Sequence, residues 1–207
     1  MRKVEPYRSF DGANRALDNG GRLWNLFTEA ADRVITKAEI AKAGGGGGWI
    51  GSLLFFDLST SRLNEGEREE LVHRLSPKLR RRWRQQGPEV VTPAGLDRLE
   101  NTKRPYLVEG VARKVEEKSL TTAFIPITTM IGNVPITTMT PITEVFAVYE
   151  VRGDRGGTGL VLARKGSGLK DGTRARFAGT LRPGQAGKEK GSRRRGYLSA
   201  RFYLELD

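Results

Sequence analysis

A stretch of 25 residues, from position 119 to position 143, contains no charged side chain, although 29% of all residues in the chain are charged. Eight of these residues are Thr, five are Ile and three are Pro. The pentad Pro-Ile-Thr-Thr-Met occurs at 126–130 and again at 135–139, with Gly132 and Asn133 between the copies. Thr and Ile favour extended backbone, and Gly-Asn is typical of a hairpin turn. The stretch therefore predicts a β-hairpin that avoids water or meets a partner.

The apolar side chains of this hairpin are the candidate partner-contact residues. Exposed strands without charge are poorly protected against pairing with other chains, so we expect a partner to cover them. The partner is a protein, a second copy of this chain, or a membrane surface. The candidates are Ile127, Met130, Ile131, Val134, Ile136 and Met139.

The charge balance of the chain limits the kinds of partner it can have. The formal net charge is +12 over 207 residues. A basic protein of this kind favours nucleic acid, an anionic membrane surface or an acidic protein as partner. The alternative interpretation is that the charge only keeps the protein soluble. The chain contains no Cys, which excludes disulfides, thiolate metal sites and cysteine nucleophiles.

The beginning of the sequence has no apolar segment of the kind found in secretory signals. No run reaches the roughly 18 apolar residues that a membrane-spanning helix needs. We therefore expect a cytoplasmic protein without a transmembrane segment.

The first half of the chain, residues 1–103, is predicted to be mainly helical. Helix-compatible apolar patterns cover 22–31, and Thr36 opens a second short helix by a capping-box pattern. The apolar run at 49–58 is predicted to be buried core. Asn64 is predicted to cap a helix that carries Glu residues in its first turn. Ser76-Pro77 and Thr92-Pro93 are start signals for two further helices, the last over 94–101.

The helix that starts at Pro77 is the first candidate nucleic-acid contact. Four Arg and one Lys surround Trp83 within seven residues, a pattern typical of surfaces that contact phosphates. A solvated helix face is the alternative. The candidate basic residues are Lys78, Arg80, Arg81, Arg82 and Arg84, with Trp83 as a stacking candidate.

The second half of the chain, residues 104–207, is predicted to contain five strands. Alternating or apolar segments lie at 105–116, 145–151, 160–164, 172–181 and 197–206. In the first strand, Tyr106, Val108, Val111 and Val115 are the predicted inward-facing residues. Glycines inside the first and fourth strands suit bulges or tight bends.

The segments LKDGTRARFAGTL and YLSARFYLEL resemble the last two strands of OB-fold domains, in which a strand that follows a Gly turn precedes an apolar closing strand. The resemblance implies an α+β chain in which a helical N-terminal region precedes a five-stranded OB-like β-barrel. The hairpin at 119–143 would then be a long insertion between the first and second strands. The resemblance also implies that a ligand lies across strands 2 and 3, between the first-to-second and fourth-to-fifth strand loops.

On this interpretation the fourth-to-fifth loop, residues 182–196, is strongly basic. Residues 152–207 contain 14 Lys and Arg and five Asp and Glu, so the positive charge is concentrated in the second half. Tyr149 and Tyr197 are stacking candidates. The basic candidates of this loop are Arg182, Lys188, Lys190, Arg193, Arg194 and Arg195.

The sequence favours a non-enzymatic binding module that contacts single-stranded nucleic acid or RNA, or an acidic protein, through the basic loop and helix. An assembly or envelope-surface protein that uses the uncharged hairpin, with possible self-association through 119–143, is the alternative. No nucleophile motif, metal-ligand motif or Walker motif is present, and His73 is the only histidine. We therefore predict no catalytic residue, no metal and no cofactor.

Overall fold

The computed structural model describes residues 1–16, 48–132, 134–164, 166, 168–182 and 196–206. Its helices are α1 (Phe10–Arg15), α2 (Gly48–Ser59), α3 (Glu65–Arg74), α4 (Pro77–Gln86) and the 3-10 helix η1 (Pro93–Arg98). Its strands are β1 (Arg2–Lys3), β2 (Glu89–Val91), β3 (Pro105–Ile131), β4 (Val134–Arg152), β5 (Thr158–Arg164), β6 (Arg174–Arg182) and β7 (Tyr197–Glu205). The broad prediction of an α+β chain is confirmed, and the helices predicted at 22–31 and 36–43 lie outside the described residues.

Helix α2 lies between the sheet and the other helices. It is apolar on all sides, which is typical of a fully buried helix. Leu54 and Leu58 pack against the outer surface of β6 and β7, whereas Phe56 faces the other way into a cluster with α3 and α4. The prediction that residues 49–58 form buried core is confirmed.

The start signals of α3 and α4 act as the sequence predicts. The side chain of Asn64 accepts a hydrogen bond from the backbone N–H of Glu67 at 2.9 Å, and the Glu67 carboxylate accepts one from the backbone N–H of Asn64 at 3.0 Å. This reciprocal capping box satisfies two N–H groups that the helix itself cannot. Ser76 caps α4, with Pro77 at its first position.

The element after Thr92 differs from the predicted helix over 94–101. It is a short 3-10 helix, in which Leu99 donates its backbone N–H to the carbonyl of Leu96. Leu96 is fully buried in the core enclosed by the strands. A Cβ at Gly159 would lie 2.4 Å from the carbonyl oxygen of Pro93, so glycine lets η1 approach β5 closely.

Five strands pair in a closed ring. β3 pairs antiparallel with β4 and β6, β4 pairs antiparallel with β5, β5 pairs parallel with β7, and β7 pairs antiparallel with β6. The short strands β1 and β2, which the sequence does not predict, add in parallel to β7 and β3. The ring encloses the largest hydrophobic cluster, which includes Tyr106, Val108, Phe177, Leu198 and Tyr203.

The inward side of β3 follows strict alternation. Tyr106, Val108 and Ala112 face the enclosed core, whereas Val111 and Val115 are exposed. The prediction that Val111 and Val115 face inward is wrong. Val111 is three positions after Val108 and so lies on the opposite face. Val115 lies at the register shift between Lys114 and Glu116. Gly110 holds the intervening inward position, where a Cβ would lie 2.3 Å from the carbonyl oxygen of Arg152.

The uncharged stretch forms the far half of a long antiparallel hairpin. β3 and β4 remain paired from Val111 and Arg152 to Ile131 and Val134, and Gly132 is in the turn between them. Gly132 has a positive φ of 63°, which favours glycine at the turn. We call residues 119–143 the ribbon. It continues the first two ring strands directly, so the prediction of a hairpin is confirmed.

Candidate nucleic-acid interface

A row of three side chains crosses β3, β4 and β5 on the outer surface of the ring. Lys118 lies directly opposite Phe146, and Phe146 lies directly opposite Arg164. Residues directly opposite each other on adjacent strands project to the same face of a sheet. Alternation places this face away from the enclosed core, since Ala147 and Tyr149 are the core-facing residues of β4. The register therefore brings together two cations and an aromatic ring.

Two further residues join this row from β6 and β7. Arg182 and Tyr197 lie opposite each other on those strands. The guanidinium carbon of Arg182 lies 5.9 Å from the ring centroid of Phe146, and the Nζ atom of Lys118 lies 5.2 Å from the ring centroid of Tyr197. Both distances are within the range of cation–π contact. We call Lys118, Arg164, Arg182, Phe146 and Tyr197 the cationic cluster.

The apolar part of the cationic cluster gives its cations a rigid base. Phe146 packs with Val148 and Leu162 in a small buried cluster, and Tyr197 is half-buried against it. The Arg164 side chain is the most exposed of the cations, at 69%, and pairs with Glu144 at 2.7 Å. The Glu144 side chain is half-buried, at 28% exposure, and Arg164 must leave it before it can contact a phosphate oxygen.

Members of the cationic cluster are the chain neighbours of both the basic loop and the ribbon. Arg182 ends β6 and Tyr197 begins β7, so these two residues flank the basic loop in the chain. Lys118 is the last charged residue before the ribbon, and Glu144 is the first charged residue after it. Lys188, Lys190, Arg193, Arg194 and Arg195 lie outside the described residues.

The basic helix α4 is separated from the cationic cluster by α2. Its Trp83 packs edge-on against Phe56 of α2, with ring centroids 5.0 Å apart, and Arg82 lies over the ring of Trp49 at 4.8 Å. Arg80 donates a hydrogen bond to the backbone carbonyl of His73 at 2.8 Å. Lys78, Arg81 and Arg84 are exposed. Three of the five predicted cations thus form an open face, and two are engaged in packing α4.

The three stacking candidates occupy different environments. Tyr149 is 4% exposed and faces the enclosed core, so its ring is not available to a base at the surface. Trp83 is half-buried, with the Arg68 guanidinium 5.3 Å from its ring centroid. Tyr197 is half-buried within the cationic cluster. Only Tyr197 lies beside cations that face the outer surface of the ring.

Lys118 and Arg164 are the cations of the cationic cluster that the sequence does not single out. Neither belongs to a run of basic residues, and 45 residues lie between them in the chain. No local pattern in the sequence marks them, because alternation along β4 and β5 places Phe146 and Arg164 on the outer face only once the register is known.

No helix in the part of the chain that the structure describes is long and apolar enough to cross a bilayer. Within the same residues, no group of three or more His, Cys, Asp or Glu side chains is arranged to hold a metal ion.

No family model matches the chain, and no curated protein matches it. Among solved structures, the chain is similar to the N-terminal domain of an archaeal MCM, at 12% sequence identity and a TM-score of 0.41. The similarity covers 57% of this chain and 62% of that one, so the match spans less than two thirds of the archaeal domain. At this level of similarity we draw no functional conclusion from it.

Proposed function

We propose that the protein is a non-enzymatic nucleic-acid-binding module and that the cationic cluster is its primary contact. The observation that carries the proposal is the row of Lys118, Phe146 and Arg164 across three strands, extended by the cation–π contacts of Arg182 and Tyr197. Cations grouped on a strand surface and held in place by aromatic rings can follow the phosphate backbone of a single strand.

The ring of five strands supports an OB-like barrel as the fold behind this function. The first ring strand, β3, pairs with the second and the fourth, and the fifth pairs with the third and the fourth. OB-folds bind oligonucleotides across strands 2 and 3, between the first-to-second and fourth-to-fifth loops. Phe146 and Arg164 belong to strands 2 and 3 of this ring, and Arg182 begins the fourth-to-fifth loop.

The chemistry of the cationic cluster favours phosphate contact over base recognition. Phe146 is buried, and Tyr197 has Lys118 over its ring, so neither presents a free aromatic face. The ends of the Lys and Arg side chains supply positive charge at the surface, and the basic loop contains five further cations after Arg182. Such contacts neutralise phosphates without reading sequence. We therefore expect weak sequence preference and strong salt dependence.

The proposal is tested by fluorescence anisotropy with a labelled single-stranded RNA and a labelled DNA of the same sequence. We expect binding at low salt, with affinity that falls steeply as salt rises, because bound phosphates release their counterions. An acidic polypeptide of similar charge serves as the control for a general polyanion effect. Absence of binding at low salt, or affinity that does not change with salt, would overturn the proposal.

A further inference from the structure

The ribbon is a two-stranded element whose two faces are both exposed and uncharged. Within the described residues, β6 pairs with β3 only as far as Val111, and β5 pairs with β4 only from Phe146. The ribbon strands therefore have no third neighbour there. Phe124, Met130 and Met139 are exposed on one face, and Ile125, Ile127 and Ile136 are exposed on the other. The side chains of Ile131 and Val134 lie outside the description, so the contact role predicted for them stays a prediction.

Four Thr hydroxyls near the turn are bonded within the ribbon. The hydroxyls of Thr128 and Thr137, which lie opposite each other, share a hydrogen bond of 2.8 Å. The Thr138 hydroxyl donates to the carbonyl of Ile127 at 3.4 Å. Burial of a hydroxyl that already has a partner avoids the cost of an unpaired polar group. Both faces can therefore be covered by an apolar surface.

Proline closes part of each edge of the ribbon to the addition of a strand. Two residues separate Ile131 from Val134, so this pair exchanges backbone hydrogen bonds and the next pair does not. The pairs that contain Pro135, Pro126 and Pro141 are all of the second kind, in which a backbone N–H points out of the ribbon. Proline has no N–H to offer there. Between Phe124 and the turn, proline holds two of the four such positions on β4 and one of the four on β3, which favours contact through the faces over pairing at the edges.

The internal repeat makes the ribbon nearly symmetric. Pro126 lies opposite Met139, Met130 lies opposite Pro135, and the Thr128–Thr137 pair is at the centre. A half turn about an axis through that pair exchanges the two copies of Pro-Ile-Thr-Thr-Met. A second ribbon of the same sequence therefore contacts the same side chains in either of its two orientations along the first ribbon. This property favours another copy of the chain as the partner.

We propose that the ribbon is a self-association surface and that more than two copies of this chain pack ribbon face against ribbon face. Ten paired residues at about 3.3 Å per residue, on two strands about 4.8 Å apart, present roughly 300 Å² in projection on each face. A stable interface buries about 800 Å² on each partner. One face-to-face contact is therefore too small for a stable dimer, whereas a ribbon held between two neighbours covers roughly 600 Å², which is closer to that size. Contacts that run from one face to the opposite face of the next copy close into a ring where the rotation closes, and otherwise continue into a filament.

Charge explains why copies would meet at the ribbon. Each copy carries a net charge of +12, none of it within residues 119–143. Other surfaces of two copies repel each other, and salt screens that repulsion, since the Debye length is about 8 Å at physiological ionic strength. Self-association through the ribbon therefore strengthens with salt, whereas nucleic-acid binding weakens. The two proposals can fail separately.

The experiment measures molar mass by light scattering and sedimentation velocity at low and high salt, without nucleic acid. We expect a mass above that of two chains at high salt. The double variant Met130→Lys/Met139→Lys places charge on one face and should have the mass of a single chain in both conditions. Val90→Lys is the matched control, because Val90 and Met130 are both 64% exposed and Val90 lies on β2, outside the ribbon. It should keep the wild-type mass.

Circular dichroism at low salt shows whether each variant is folded. A wild-type protein with the mass of one or two chains at high salt would overturn the proposal, as would equal masses for the double variant and the wild type. Flotation with neutral phosphatidylcholine vesicles tests whether a membrane surface, and not another copy of the chain, covers the ribbon. A protein that remains a single chain in solution but floats with the vesicles has a lipid-facing ribbon, which also contradicts self-association.

Discussion

Removing the three cations of the cationic cluster should reduce the salt dependence of nucleic-acid binding by a defined amount. The variant is Lys118→Ala/Arg164→Ala/Arg182→Ala. Each phosphate contact on a single strand contributes about 0.7 to the slope of log affinity against log salt, so three contacts contribute about 2. Over a fourfold rise in salt, the wild-type affinity should therefore fall about twentyfold more than that of the variant. This twentyfold difference is an upper value, because Arg164 must leave Glu144 to contact a phosphate.

The assay is anisotropy titration of a labelled single-stranded oligonucleotide over a series of salt concentrations. The matched control is Lys78→Ala/Arg81→Ala/Arg84→Ala, which removes the same charge from the exposed face of α4. If only net charge matters, both triple variants reduce the slope of log affinity against log salt by the same amount, and the cationic cluster is not the contact. If the α4 variant loses the larger slope, the primary contact lies on that helix. Either result would refute the reasoning from strand register.

Three further predictions concern stability. Phe177→Ala removes a fully buried ring from the enclosed core, and should lower the free energy of unfolding by about 3–5 kcal/mol in urea titrations; a loss no greater than that of Val90→Ala at the exposed surface would contradict the assigned core. Asn64→Ala breaks the capping box of α3 and should lower the free energy of unfolding by about 1 kcal/mol. An unchanged unfolding midpoint would contradict this prediction. Asp57 is buried beside Arg68, and burial raises the pKa of its carboxyl although the Arg68 guanidinium partly offsets the rise. Because the folded state then holds this proton more tightly than the unfolded state, wild-type stability relative to Asp57→Asn should be greatest below the ordinary carboxyl pKa and should decline as pH rises to the raised value. Urea unfolding at several pH values measures this difference, and a difference that grows with pH would show that the ion pair outweighs burial.

Local signals in the sequence predict most of the elements. The caps at Asn64 and Ser76 depend on residues within one turn, so they can be recognised without knowledge of the fold. The hairpin at 119–143 is predicted for the same reason, because β-branched residues, the repeat and the Gly-Asn turn lie in one continuous segment. The five ring strands are also found, although β3 and β4 extend far beyond the predicted segments.

Features that depend on register could not be predicted in the same way. The segment at 145–151 is apolar at nearly every position, so it carries no alternation to show which side chains face the enclosed core. For this reason Tyr149 is a stacking candidate in the sequence and a core residue in the structure, whereas Phe146 faces outward. Lys118 and Arg164 meet Phe146 only because three strands pair in one register.

The ribbon and the cationic cluster lie on the same two strands, and the position of the charged residues separates them. Lys118 and Glu144 are the last charged residues on β3 and β4 before the ribbon begins. On the ring side of this boundary β4 pairs with β5, and the cations of the cationic cluster lie on the outer surface, where an anionic partner can neutralise them. On the ribbon side of it the two strands have no third neighbour in the described part of the chain, and four Thr hydroxyls near the turn are bonded within the ribbon. That surface carries no charge to attract an ion, and apolar side chains are exposed on it. On the two proposals, one continuous hairpin would present two surfaces with opposite responses to salt, and these responses would distinguish an anionic partner at the cationic cluster from another copy of the chain at the ribbon.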